Sequence, residues 1–302
     1  MKTVLLTGSS GFLGKIIKDY LTLNRFNIIT LSRSYKSDVV CDLSKQNPLL
    51  TNGIDTVIHA AGKAHSVPKS RNEAQEFNDV NVRGTKNLLL GLEKVSLPKQ
   101  FIFISSVSVY GLEKGELINE EAPLLAKDPY GLSKIAAEQS IIDWCTQNNV
   151  IYTILRLPLL VGENPPGNLG AMIKAINSGY YFNIAGGITK KSMILALDVA
   201  KTIPLISQIG GIYNLTDGFH PSFESLSSVI ATSKNKKKPP NMPMFLAIFI
   251  GYLGDFLGNK APVNSIKIKK IISNLTFDDS KIRILLKFKS EPVIEYLKNN
   301  VI

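Results

Sequence analysis

Cysteine, histidine and tryptophan are scarce: two, three and one among 302 residues. Cys41 and Cys145 are too few for a disulfide framework, which points to a reducing compartment and a cytoplasmic protein. His59, His65 and His220 stand at no metal-ligand spacing, so no metal site is expected. No run reaches the ~20 apolar residues of a membrane span. The most apolar stretch, Met242 to Leu257, contains Pro243 and Asp255. Met1 to Thr7 carries one lysine and a short apolar run before glycines, unlike a secretory signal. Internal repeats and long low-complexity tracts are absent. With 44% hydrophobic and 20% charged residues, the composition excludes a disordered tail, a collagen-like fibre and a coiled coil. Acidic residues are in deficit, 24 against 35 basic, for a net charge of +11. That excess suits a lysine-rich surface or an anionic partner. No recognition-helix or RNA-module pattern accompanies it, so nucleic acid is not expected.

What is present in the first half is an alternation of short apolar runs and helical patterns. Strands are predicted at Thr3–Thr7, Asn27–Leu31, Thr56–Ala60, Phe101–Ser105 and Tyr152–Leu157. Helices are predicted from Gly11 to about Leu23, Glu73 to Leu92 and Tyr130 to Gln147. Continuous rather than alternating apolar runs mark buried parallel strands. The order implies an α/β fold: a Rossmann-type doubly wound parallel sheet over residues 1–165. Residues 166–302, richer in proline and glycine at the start, are expected to form a smaller substrate-binding lobe, with segments crossing between the two.

Thr7-Gly8-Ser9-Ser10-Gly11-Phe12-Leu13-Gly14 joins the first strand to the first helix. Gly8, Gly11 and Gly14 permit a tight turn, close approach of a pyrophosphate and close helix–strand packing. Ser10, Phe12 and Leu13 stand at the helix N-terminus, whose free N–H groups suit phosphate. The second strand ends in Leu31-Ser32-Arg33-Ser34, without the carboxylate that reads the NAD ribose. Arg33 suits a 2′-phosphate, so NADP(H) is favoured and NAD(H) is the alternative. Asp42, followed by Leu43, is a candidate for the adenine amino group or an ordinary turn residue.

Tyr130 and Lys134 lie four residues apart at a helix start, on one face. A phenol with a pKa near ~10 needs a neighbouring positive charge to act as a base at neutral pH. Ser105-Ser106 ends the fourth predicted strand, where open α/β sheets receive ligands. A hydroxyl there suits the reacting oxygen of a substrate.

Together with His59-Ala60-Ala61-Gly62, Asn81-Val82-Arg83-Gly84-Thr85, Phe103 to Gly111 and Leu155-Arg156-Leu157-Pro158, these motifs resemble the extended short-chain dehydrogenase/reductases of the NAD-dependent epimerase/dehydratase type. The resemblance covers nearly the whole chain. It implies catalytic roles for Ser106, Tyr130 and Lys134. It places Ala60, Ala61, Gly62, Asn81, Ser105 and Leu157 on the cofactor side. On the substrate side it places Lys63, Ser106, Ser108, Asn168, Leu169 and Lys191, the last where relatives often carry a diphosphate-binding arginine. The implied reaction exchanges a proton and a hydride at a sugar carbon of a nucleotide-diphosphate sugar, as a 4-epimerase or 4-ketoreductase of surface-polysaccharide synthesis. The implied assembly is a homodimer.

Ser106-Val107-Ser108 replaces the Thr-Asp-Glu of sugar dehydratases, which argues against dehydration. Leu157-Pro158-Leu159 replaces the Tyr-Phe-Asn of many 4-epimerases. A non-catalytic NADP-binding regulator and a sterol-type hydroxy dehydrogenase are the rival readings, the first opposed by the retained Ser106, Tyr130 and Lys134. His59 is expected in the core and His65 near the active-site entrance. The lysine run Lys234 to Lys238 is expected to lead into a helix packed on the small lobe. A membrane-surface anchor is the disfavoured alternative.

Overall fold

The computed structural model describes residues 2–64, 68, 70–257 and 264–300. His65 lies outside the described residues. The large lobe is built by β1 (Thr3–Thr7), α1 (Phe12–Leu23), β2 (Asn27–Ser32), β3 (Val39–Val40), β4 (Thr56–His59), α2 (Arg71–Phe77), α3 (Gly84–Leu92), β5 (Gln100–Ser106), β6 (Gly115–Ile118), α4 (Pro129–Gln147) and β7 (Ile151–Leu157). Then come β8 (Leu159–Val161), α5 (Gly167–Asn177), β9 (Asn183–Ile184), β10 (Met193–Leu195), α6 (Ala196–Leu205) and β11 (Gly211–Asn214). The chain closes with α7 (Phe223–Ser233), β12 (Asn241–Met242), α8 (Met244–Leu257), α9 (Ser265–Ile271), β13 (Leu275–Phe277), α10 (Ser280–Leu286) and α11 (Val293–Asn299).

Seven parallel strands form the main sheet in the order β11-β7-β5-β4-β1-β2-β3. The fold is the expected Rossmann-type sheet. Alternate residues of β1 face opposite layers, as a period of two requires. Val4 and Leu6 pack with Ile17, Val199 and Ile203 of α1 and α6. Leu5 packs with Leu88, Leu92 and Ile141 of α3 and α4 on the other face. Two strands of this sheet escaped the sequence reading: β3, too brief for a periodic signal, and β11. Through β11 and α6 the chain returns to the large lobe after residue 165. A separate core of Val161, Leu169, Ile173, Met193, Leu226 and Leu297 holds the small lobe together.

The helix expected over 73–92 is present but not uniform. Asn78–Arg83 forms a π-helical segment between α2 and α3. Such insertions are rare and concentrate at functional sites. α8 also differs from expectation. Its narrow inner stripe, Ala247, Gly251 and Gly254, is buried, and Gly251 meets Ser265 and Ile268 of α9. Its bulky apolar side chains remain exposed rather than packed on the small lobe. No helix among the described residues is long and apolar enough to cross a membrane.

Candidate active site

The parallel register aligns the strand ends. Thr7 stands beside Leu31 and His59, and Ser106 beside Leu157, along one carboxyl edge of the sheet. The glycine turn leaves β1 at this edge. Gly8 has φ +72°, and a Cβ there would lie 2.6 Å from the Ala61 nitrogen and 2.7 Å from the Ala60 carbonyl carbon. A Cβ on Gly14 would lie 2.0 Å from the Gly8 oxygen, so α1 approaches the turn as closely as backbone allows. Gly11, the N-cap of α1, brings no side chain to compete for the helix's first N–H groups. Phe12 packs against the small lobe's Gly162, and the Leu13 side chain is buried in the core. Both residues therefore face the turn only through backbone.

A cavity of about 450 Å³ opens beside this turn, lined by Gly8, Ser10, Gly11, Ser32, Arg33, Asp42, Leu43, Ala60, Ala61 and Gly62 among others. Arg33 is exposed, with no ion pair among the described residues. One Asp42 oxygen accepts from the Ser44 nitrogen (3.1 Å) and hydroxyl (2.6 Å), the turn role. These Ser44 hydrogen bonds hold the Asp42 carboxyl below its usual range against the cost of burial. The Asp38 carboxylate is occupied by Thr30. The cradle of side-chain-free positions, the helix N-terminus and the adjoining cavity fit a dinucleotide.

A buried polar chain supports the loop after β4. Thr85 donates to the Asn81 carbonyl at 2.6 Å, which leaves its oxygen to accept from His59 Nε2 at 2.9 Å. His59 Nδ1 then accepts from the Thr7 hydroxyl at 2.7 Å, and that same oxygen accepts from the Ala61 nitrogen. The imidazole is therefore neutral, with its proton on Nε2. Burial, aided by the charge of Lys134, pushes its pKa down to about 3. His59 is the core residue expected.

Asn81 sits in the π-helical segment and is buried. Its amide donates to the Lys63 carbonyl (3.1 Å) and the Ser133 hydroxyl (2.8 Å), and its oxygen accepts from the Lys63 nitrogen (2.7 Å). It thereby ties the loop after β4 to α4. The Lys63 ammonium pairs with Glu76 at the surface.

α4 begins with Asp128 as N-cap, accepting from the nitrogens of Tyr130 and Gly131, and with Pro129 in its first turn. This start orients Tyr130 and Lys134. Lys134 is only 6% exposed, and its ammonium donates to the Ile104 carbonyl at 2.8 Å. It lies 4.6 Å from the Phe103 ring centre. A Cβ on Gly62 would be 3.4 Å from this ammonium, so α4 and the loop after β4 meet there. Burial lowers the Lys134 pKa to about 8, with Glu138 opposing. Burial raises the Tyr130 phenol above its ordinary value, the Asp128 charge adds to this, and a hydrogen bond with Ser106 works the other way. Ser106 also donates to the Ser108 hydroxyl at 3.1 Å. Ser106, Ser108, Tyr130, Lys134 and Gly62 thus converge on one edge of the sheet.

A sequence profile of the NAD-dependent epimerase/dehydratase family matches residues 4–215. The chain belongs to that family. It is 31% identical, over 92% of its own length and 88% of the relative's, to an N-acetyl-alpha-D-glucosaminyl-diphospho-ditrans,octacis-undecaprenol 4-epimerase of Escherichia coli O157:H7. Two solved structures share its fold. One is a UDP-glucose 4-epimerase of Bifidobacterium longum in complex with NAD+ and UDP (TM-score 0.73, 22% identity, 98% and 96% of the two chains). The other is RMD of Pseudomonas aeruginosa complexed with NADPH (TM-score 0.70, 21% identity, 99% and 97%).

Like other members of this family, the protein is an NAD(P)-dependent oxidoreductase or epimerase. The remaining site residues fall in different surroundings. Asn168 is exposed on the first turn of α5, whereas the Leu169 side chain packs inside the small-lobe core. The Lys191 ammonium donates to the carbonyls of Ser273 (2.8 Å) and Lys270 (3.3 Å), and its burial lowers its pKa. Leu157 is buried beside Ser106. Ser105 turns its hydroxyl inward, donating to Glu138. Glu138 in turn receives Arg156 in a two-pronged pair at 2.7 and 3.2 Å. Arg156 also reaches the Tyr110 hydroxyl, which donates to Asn214 on β11. This brace under the carboxyl edge of the sheet was not read from sequence. Its one available signal was Glu138, an acid one turn after Lys134 on the same helix face.

Proposed function

We propose that the protein is a 4-epimerase of an N-acetylhexosamine joined through a diphosphate to a polyprenyl lipid. The observation that carries this reading is the convergence of Ser106, Tyr130 and Lys134 beside a glycine cradle. Similarity to the undecaprenol-diphosphate enzyme extends through the small lobe and supports the substrate. When bound, the dinucleotide supplies a hydride acceptor and donor and, oxidised, a positive charge. Gly8, Gly11 and Gly14 would hold its diphosphate, Arg33 and Asp42 would border its adenosine, and Lys134 would hold its nicotinamide ribose.

Tyr130 is protonated at rest, as a phenol is at neutral pH, and burial holds it further on that side. As the phenolate, after its own proton has left to solvent, it would take the proton of the sugar hydroxyl, and as the phenol so formed it would return that proton. Lys134, mostly charged at neutral pH, would supply, together with the oxidised dinucleotide, the positive charge that favours the phenolate. Ser106 turns its hydroxyl from Ser108 to the reacting sugar oxygen and fixes it near Tyr130. Asn81 keeps these groups in register by holding Lys63 and Ser133 together. Lys191, anchored by two carbonyls, would face the diphosphate as a point charge.

A second reading, a 4-ketoreductase that consumes NADPH, is favoured by Arg33 and by the lack of a free carboxylate at the end of β2. The test is incubation of the purified protein with polyprenyl-diphospho-N-acetylglucosamine and no added cofactor, followed by acid release and sugar analysis. N-acetylgalactosamine formation that disappears in Tyr130→Phe is the expected result. Stoichiometric oxidation of NADPH with a 4-keto sugar, and no epimer, would replace the epimerase with the reductase. In a separate binding titration, Arg33→Ala is expected to weaken NADP+ roughly tenfold and leave NAD+ unchanged.

A further inference from the structure

We infer that α8 and α9 seat the protein on an anionic bilayer surface. Four aromatic residues of α8 follow the spacing of one helical face: Phe245, Phe249, Tyr252 and Phe256. They are 75%, 59%, 65% and 91% exposed. Met244, Leu246, Ile248 and Leu253 are exposed as well. A contiguous apolar surface of this kind on a soluble lobe needs a partner. The buried stripe of α8 is made of small residues, so α9 packs close while the large side chains point away. Asp255, the one acid in α8, accepts from the Ser265 nitrogen at the start of α9. It is therefore engaged with the neighbouring helix.

Charge identifies the occupant. The exposed Lys236, Lys237 and Lys238 stand a few residues before α8. α9 carries the exposed Lys269, and Lys270, which also pairs with Glu113. α9 runs back along α8, from Ser265 beside Asp255 to Ile268 beside Gly251, so its lysines lie toward the same end of α8 that Lys236 to Lys238 precede. An apolar, aromatic-rich face flanked by lysines matches a surface of acyl chains beneath anionic head groups, where aromatic rings also prefer to lie. Fourteen residues of helix extend about 21 Å, short of the ~30 Å hydrocarbon layer. The helix would thus lie within one leaflet and not traverse it.

The seat adjoins the small lobe's proposed diphosphate side, because Lys191 donates to the carbonyls of Lys270 and Ser273 at the end of α9. Delivery of a lipid-linked sugar to that side rests on the function proposed above, whereas membrane binding itself does not.

The test is co-sedimentation of the full chain with vesicles of phosphatidylcholine, and of phosphatidylcholine mixed with phosphatidylglycerol. Binding is expected to the mixed vesicles and to weaken with salt. Phe249→Ser combined with Phe256→Ser should lower partitioning roughly tenfold or more. Lys236→Glu, Lys237→Glu and Lys238→Glu together should abolish the preference for anionic vesicles. Both variants should keep the thermal midpoint and dinucleotide binding of the parent, since all the altered side chains are exposed. Protein that stays in the supernatant with both vesicle types overturns the inference, as does equal binding by the double serine variant. If that variant instead dissolves a concentration-dependent dimer while vesicles capture nothing, a second copy covers the face and the inference fails. No sugar is needed, so this failure is separable from failure of the epimerase reading.

Discussion

Mild acid should weaken the base of the cofactor cleft through one residue, His59. In the native chain its ring is buried, neutral and bonded on both nitrogens, with a pKa of about 3. In the unfolded chain it titrates near ~6.5. The unfolded state therefore binds more protons as pH falls from that value toward the folded one, and stability falls with it. Between pH 7 and pH 5 the loss from this group is about 2 kcal/mol. Protonation would also present a second N–H to Thr7, whose hydroxyl now donates to Nδ1 while its oxygen holds the Ala61 nitrogen. The assay is urea unfolding at both pH values for the parent and for His59→Gln, which does not titrate. The variant starts less stable, but its further loss on acidification should be smaller by about 2 kcal/mol. Parallel losses in the two proteins would refute the neutral buried histidine and the hydrogen-bond chain built on it.

Three other outcomes follow from the same geometry. Tyr130→Phe should lower turnover by roughly a thousandfold or more while dinucleotide affinity stays within about twofold, measured by steady-state kinetics and fluorescence titration. Retained turnover would remove Tyr130 from the chemistry. Gly8→Ala adds a Cβ 2.6 Å from the Ala61 nitrogen at φ +72°, so it should abolish dinucleotide binding in a calorimetric titration and lower the melting temperature. Lys134 links rate and stability with opposite signs. Its pKa is about 8 in the folded protein, against ~10.4 unfolded. Turnover should decline as pH rises through 8, where the charge is lost. This group's contribution to stability should rise over the same window and up to pH ~10.4, by about 3 kcal/mol in all, and Lys134→Met should erase that rise in pH-dependent unfolding.

Much of the site was legible because its chemistry is written in contiguous residues. Gly8, Gly11 and Gly14 must form one turn wherever the strand before them and the helix after them fold. Tyr130 and Lys134 share a face because a helix has a fixed period. The strand–helix alternation also determines a parallel sheet, and with it the edge on which Ser106 and the glycine turn meet. The limits lay where partners are remote in sequence. His59 was correctly placed in the core, but its bonds to Thr7 and Thr85 depend on pairings across 52 and 26 positions. Glu138 and Arg156 form their brace only once α4 lies across β5 and β7.

Local sequence by itself determined the turn, the helix start with its Asp128 cap and the strand–helix alternation along the chain. Tertiary structure decided the rest. It set the neutral state of His59 and the depressed pKa of Lys134, because desolvation is a property of the surrounding volume and not of the residue. It fixed the Lys191 ammonium on two carbonyls from the far end of the chain. It also decided that α8 hides its glycines and presents its aromatic residues. An apolar helix has no preferred side until a neighbour takes one, and here α9 takes the narrow side.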